Sequence, residues 1–102
     1  MSIQAHEIIT EYEVLFAART GVTVMVPVVT AFNGSAEKPI SFEISPENPR
    51  DIIINANNKP VVLKGMKKDY LDAAISRGFI MFYEMKDDEI VRSTLCNYQK
   101  KQ

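Results

Sequence analysis

One segment constrains the fold more than any other, because it is apolar on both faces. Two sets of apolar residues alternate along residues 79–85: Phe79, Met81, Tyr83 and Met85 on one face, and Ile80 and Phe82 on the other. Side chains point alternately to opposite faces of a strand. A strand of this kind lies inside a sheet and needs cover on both sides. The polar residues at 86–89 predict a turn to a second strand that runs to Tyr98.

The first 20 residues show a helical pattern. Apolar residues recur at helical spacing: Ile8, Ile9, Tyr12, Leu15 and Phe16. Gly21 follows where a helix could end, so we predict a first helix at about residues 4–19. An alternative remains open, in which residues 12–16 form a strand and residues 19–21 a hairpin turn.

Four short strands and a second helix are predicted after this. The strands fall at residues 22–32, 40–44, 52–54 and 61–63. Asn33 and Gly34 favour a hairpin with a long loop between the first two of these strands, and residues 55–60 favour a second hairpin. Apolar residues on one face predict a helix at about residues 66–77, which Gly78 would end.

These elements predict a single domain, residues 1–102, of the α+β class. We expect a mainly antiparallel sheet of about five to six short strands, with the two helices packed on it. One sheet edge should be either the 22–32 strand, where Pro27 lacks a backbone donor, or the last strand. An open edge of this kind favours association of two chains.

Charge and cysteine content narrow the functional classes. The net charge of −1 argues against non-specific attraction to nucleic acid. Residues 1–51 carry three basic and seven acidic side chains, however, whereas residues 52–102 carry nine basic and six acidic ones. Cys96 is the single cysteine, so no internal disulfide can form. With no signal-peptide pattern and no apolar stretch of membrane length, we expect a cytoplasmic protein.

No catalytic motif is visible, and we expect no metal and no cofactor. His6 and Cys96 are the lone residues of their types and suggest no ligand cluster. The strongest candidate for a binding site is a lysine-rich segment at the start of the second predicted helix, where free backbone N–H groups attract anions. Its residues are Lys64, Gly65, Lys67 and Lys68.

The sequence thus favours a small non-enzymatic cytoplasmic protein that acts by binding another protein. Its size and composition are typical of bacterial or phage accessory and adaptor proteins, and a homodimer is an open alternative to a monomer. A second hypothesis is binding of a small anionic ligand at residues 64–68. A third is nucleic-acid binding through the basic C-terminal half, against which the overall charge balance argues.

Overall fold

The computed structural model describes residues 5–35, 40–57 and 59–100. The described part of the chain forms one eight-stranded sheet, one α-helix and a 3-10 turn at Thr30–Ser35. In chain order the elements are β1 (Glu7–Ile9), β2 (Glu13–Ala17), β3 (Gly21–Pro27), β4 (Ile40–Ile44), β5 (Ile52–Ala56), β6 (Lys59–Leu63), α1 (Lys68–Arg77), β7 (Phe79–Lys86) and β8 (Glu89–Tyr98).

The sheet is mixed, and it curls into a half-barrel. Its strand order is β1-β6-β5-β4-β8-β7-β3-β2. Three pairs of neighbours are parallel, namely β1 with β6, β3 with β7, and β4 with β8. The predicted α+β fold, with five to six mainly antiparallel strands and two helices, is therefore wrong. Short connections between consecutive strands favour antiparallel pairing, but they do not reveal that distant segments also pair in parallel.

The predicted helix at residues 4–19 accounts for most of this error, because the segment forms β1 and β2 instead. In β2, Val14 lies opposite Val24 and Phe16 lies opposite Val22. Pairing with a buried β-branched strand overrides the helical spacing of the segment, since propensity is a weak prior. The alternative of a strand at residues 12–16 followed by a hairpin turn is confirmed, with Gly21 at φ +88° after the turn.

The strand predicted at residues 22–32 is shorter than expected. It ends at Pro27, and the chain then enters the 3-10 turn. A proline at the last position of a strand removes no interior ladder bond. β3 does not pair with β4, so the predicted hairpin with a long loop is wrong. Instead, β3 lies between β2 and β7, and β8 lies between β7 and β4. Neither predicted edge is an edge; β1 and β2 are the edge strands.

The second predicted helix is confirmed, although it begins two residues later than expected, at Lys68. Gly78 ends it at φ +88° and donates its N–H to the Ala74 carbonyl at 2.8 Å. Such a left-handed residue just past a helix is tolerated best by glycine. The helix packs against β3 and β7 and buries Leu71 and Ala74 in the core.

The last two strands form the predicted hairpin, and β7 lies inside the sheet as expected. Asp87 and Asp88 make the turn at φ 52° and 63°. Two consecutive residues with positive φ form the type of turn that matches the twist of a hairpin. A bulge between Glu84 and Met85 shifts the register near the turn.

The core lies on the inner face of the curled sheet. Its largest fully buried side chains are Phe32, Phe42, Phe82, Ile40, Ile52, Ile54, Leu63, Met66 and Ile80. The two edge strands are joined by residues 10–12, and the Tyr12 hydroxyl donates to the Lys64 carbonyl at 2.7 Å. This connection brings the two ends of the sheet close together without pairing them.

Candidate functional site

One face of the four strands β2, β3, β7 and β8 points away from the core and is mainly apolar. We call it the outer face. Strand register places the following side chains on it: Glu13, Leu15, Ala17, Thr23, Met25, Pro27, Phe79, Met81, Tyr83, Met85, Ile90, Ser93, Leu95 and Asn97. One row across the four strands consists of Leu15, Thr23, Met81 and Leu95. These positions include one acidic side chain and no basic one.

No described element of the chain packs over this outer face. The α-helix packs on β3 and β7 through residues that belong to the inner core. Leu15 therefore remains 54 % exposed and Leu95 47 % exposed, while Met81 and Tyr83 are half-buried by their neighbours. Contiguous apolar patches on soluble proteins commonly mark interaction sites. The sequence predicted that both faces of β7 would be covered. Within the described residues, only the inner face is covered.

An acidic depression lies at one end of the outer face. Its volume is about 550 Å³. The lining consists of Glu11, Tyr12, Glu13, Met25, Val26, Pro27, Met85, Asp87 and Asp88. Four carboxylates therefore rim a floor that includes two methionines. Methionine side chains are flexible and polarizable, and they adapt to different apolar partners.

The predicted anion site is partly assembled. Lys64, Gly65 and Lys67 line an open cavity of about 360 Å³, together with Thr10, Tyr12, Val14 and Tyr70. Lys68, the fourth predicted residue, is not among the lining residues. Lys67 caps the helix without any side-chain hydrogen bond to its N-terminus. The cavity thus combines two ammonium groups with three hydroxyl-bearing side chains.

Internal contacts already engage some of these groups. The Lys64 ammonium lies 3.3 Å from a carboxylate oxygen of Asp51, and the Lys67 ammonium lies 6.0 Å from the Tyr70 ring centroid. Partial desolvation, and then the negative charge of Asp51, raise the pKa of Tyr12 above its ordinary value. Tyr12 therefore remains a neutral hydrogen-bond donor at physiological pH.

A buried carboxylate was missed by the sequence reasoning. Glu84 lies among apolar residues on the inner face of β7 and has no exposed surface. The guanidinium of Arg92 on β8 donates to both of its carboxylate oxygens. The Val29 N–H donates to Glu84 at 2.9 Å. Strand alternation could have identified this position, because it places Glu84 on the same face as Ile80 and Phe82.

The same guanidinium also holds the chain that follows β3. It donates to the Val29 carbonyl at 3.0 Å and to the Asn33 side chain. The hydrogen bond with Glu84 raises the pKa of Arg92 above its ordinary value. On the other side, the Ala31 N–H donates to Glu7 at 2.8 Å. The two carboxylates satisfy backbone donors of the 3-10 turn and its lead-in, so we assign them a structural role.

The isolated candidates for chemistry stay apart. Cys96 is buried in β8 opposite Ile80, and burial raises the pKa of its thiol. His6 is exposed and precedes β1. Among the described residues, no group of three or more His, Cys, Asp or Glu side chains could hold a metal ion. No helix in residues 5–35, 40–57 and 59–100 has the length and hydrophobicity of a membrane span.

Comparisons of this chain with protein-family models, with curated proteins and with solved structures find no significant match. The outer face and the lysine cavity are the two features of the described residues that bear on function.

Proposed function

We propose that this protein is a non-enzymatic protein-binding module, and that the outer face is its binding surface. The observation that carries the proposal is the absence of any described element over four adjacent strands whose outer side chains are mainly apolar. Binding a partner would remove these side chains from water. This burial stabilises a complex by roughly 25 cal/mol per Å² of apolar surface.

The acidic depression indicates the chemistry of the partner. Glu11 and Glu13 lie on one side of it, and Asp87 and Asp88 lie on the other. The partner is therefore a protein segment with an apolar side and with lysine or arginine residues at one end. Complementary charge at the rim speeds association and sets the orientation of the partner.

Site-specific photo-crosslinking tests this proposal. A photoreactive amino acid replaces Leu95 on the outer face, and in a control protein it replaces Ile75, a partly exposed residue of α1. Both proteins are incubated in an extract of the native cells, and crosslinked products are identified by mass spectrometry. We expect one partner to crosslink through position 95 and not through position 75.

Charge variants then test the chemistry of that partner. The substitutions Asp87→Asn and Asp88→Asn should weaken its binding several-fold, with a loss of salt dependence, because rim charges act mainly through long-range attraction. The crosslinked peptide should contain apolar residues with Lys or Arg beside them. Identical crosslinking profiles at positions 95 and 75 would contradict the proposal.

A second candidate function is binding of a small anion, and the cavity lined by Lys64, Gly65 and Lys67 favours it. Two ammonium groups near a helix N-terminus provide the charge and the donors that phosphate or carboxylate groups need. The alternative is that these lysines only interact with Asp51 and Tyr70.

Lys68 lies outside the cavity, so it provides the control for anion binding. Inorganic phosphate and citrate are titrated against the protein by NMR, and the Lys64→Gln and Lys67→Gln variants should lose the chemical-shift changes. The Lys68→Gln variant should keep them, since Lys68 does not line the cavity. Equal loss in all three variants would indicate only general charge attraction and would reject a defined site.

A further inference from the structure

We propose that a second copy of this chain pairs with the first along the free edge of β2, in an antiparallel arrangement that extends the sheet. This inference goes beyond the proposed function, because it names a second copy of the chain as a partner. It concerns a different surface, since the outer face is the side of the sheet whereas β2 is its edge.

The free edge of β2 has few of the features that normally prevent pairing, and Glu13 is its one charged residue. β2 hydrogen-bonds to β3 on one side, and no described strand pairs with its other side. Its five residues include no proline and no lysine. Leu15 and Phe16 are each about half exposed, at 54 % and 51 %. Edge strands that are not guarded by such residues tend to pair with another chain.

The other edge is a weaker candidate. β1 has three residues, against five in β2. The side chain of Glu7 in β1 accepts a hydrogen bond from the Ala31 N–H, which ties this strand to the 3-10 turn. Fewer backbone groups are therefore free to pair there.

The sequence of β2 is compatible with pairing to itself. A two-fold axis perpendicular to the sheet, midway between the two Leu15 residues, pairs all five strand residues. Glu13 then lies opposite the partner's Ala17, and Val14 lies opposite the partner's Phe16. Residues opposite one another share a face, so the apolar side chains remain next to apolar side chains. An interface of this kind has the same patch on both subunits, as two-fold symmetry requires.

Charges just outside β2 favour the same register. With this centre, the connection before β2, which carries Glu11, lies beside the partner's hairpin turn, which carries Arg19, and symmetry produces this pair twice. Both side chains are exposed, and neither forms an ion pair within the described part of the chain. Centring on Val14 instead would place Glu13 opposite the partner's Leu15, and would shift Arg19 along the strand direction, away from the partner's Glu11.

Pairing at β2 would join the two outer faces into one surface. The row that contains Met81 and Leu95 ends at Leu15, and across the axis it would continue into the partner's Leu15. Strands that pair in a sheet lie about 4.8 Å apart, so the row would continue from one subunit to the other without a gap. The dimer would thus present an outer face twice as wide to a third protein.

Disulfide trapping tests the register directly. In an antiparallel pair, opposite Cα atoms lie about 4.5–5.5 Å apart, which is within disulfide range. The Leu15→Cys variant should therefore form a covalent dimer under mild oxidation. Cys96 does not compete, because it is buried in β8.

Two further cysteine positions provide matched controls. Glu13→Cys and Ala17→Cys should each fail to form a covalent dimer alone, because neither position lies opposite itself. Their equimolar mixture should form a mixed disulfide. Ile90→Cys, at an exposed position on β8, measures crosslinking by random collision. Equal crosslinking of Leu15→Cys and Ile90→Cys would overturn the proposal.

Charge reversal provides an independent measurement on the protein with its native cysteine. Arg19→Glu should raise the dimer dissociation constant about tenfold in analytical ultracentrifugation, since symmetry counts each exposed pair twice. The double variant Glu11→Arg, Arg19→Glu should restore dimerisation to the wild-type level. Failure of the double variant to recover, with both proteins folded by circular dichroism, would reject this register.

The outcomes separate this inference from the proposed function. A wild-type protein that stays monomeric up to millimolar concentration would reject the β2 dimer, while crosslinking at position 95 would still support partner binding. A β2 dimer without any partner crosslinked at position 95 would support the inference and reject the broader function of the outer face.

Discussion

The two faces of β3 and β7 have similarly apolar sequences but different environments. On the inner face, Val24 and Phe82 are fully buried beneath the rest of the half-barrel. On the outer face, Met25 and Met81 are half-buried with no described element above them. An apolar alternation on both faces therefore shows that both faces avoid water, and it does not show that the same chain covers both.

The curl of the sheet produces this difference. Strands that curve around a core enclose one face, and here α1 and the 3-10 turn complete the enclosure. Among the described residues, no other helix is present to cover the second face. The outer face is the surface that this fold leaves for intermolecular contact.

The largest expected effect separates adjacent residues of β7. Phe82→Ala should lower the free energy of unfolding by about 3–5 kcal/mol, because it opens a cavity in a close-packed core. Met81→Ala should lower it by about 1 kcal/mol, since Met81 packs only along the sheet. Urea unfolding of the two variants measures this contrast. Equal losses would show that the outer face is also covered.

A second prediction concerns the ion pair between Glu84 and Arg92 on the inner face. Arg92→Met should destabilise the protein by about 3 kcal/mol, because it leaves Glu84 buried without its partner. The double variant Glu84→Met, Arg92→Met should regain part of this loss, as an apolar pair carries no desolvation penalty. Chemical denaturation measures both variants, and a single variant as stable as the wild type would refute the structural role of the pair.

A third prediction uses the thiol on the inner face of β8. Burial raises the pKa of Cys96, so above about pH 8.5 the thiol ionises in the unfolded chain but not in the folded one. The unfolded state then binds fewer protons, and stability falls as pH rises toward the folded pKa.

The Cys96→Ala variant isolates this contribution. The stability difference between wild type and variant should shrink by about 1 kcal/mol between about pH 7.5 and pH 9.5. Urea unfolding at the two pH values measures the difference. A constant difference would show that the thiol is accessible in the folded protein.

The smallest expected effect on stability concerns Leu95, an exposed residue of the outer face. Leu95→Lys should change the free energy of unfolding by less than about 0.5 kcal/mol, since surface substitutions are usually near neutral. It should nevertheless reduce binding of the apolar dye ANS, because it introduces a charge into the patch. Unchanged dye fluorescence would indicate that the dye-accessible apolar surface lies elsewhere.

Local patterns predicted much of the secondary structure. The helix that Gly78 ends and the hairpin that turns at Asp87 and Asp88 were both predicted, because caps and turns depend on a few neighbouring residues. The strands β4, β5 and β6 were predicted for the same reason, since β-branched residues alternate or cluster there.

Long-range pairing was not predictable from these patterns. The first 20 residues fit a helix as well as a strand, and contact with β3 decides between them. The parallel pairing of β3 with β7 joins segments more than 50 residues apart, which no local spacing reveals. For the same reason the free edge was assigned to the wrong strands. The lysine segment was predicted, whereas the outer face as a site required the strand order.

Solvent exposure of the methionine methyl groups tests the central claim most directly. The protein is labelled at methionine methyls, and a soluble paramagnetic agent is added during NMR relaxation measurements. We expect strong relaxation of Met25, Met81 and Met85, and weak relaxation of Met66, which is fully buried. If Met81 and Met85 were as protected as Met66, the outer face would be covered by the chain itself, and its role as a binding surface would be contradicted.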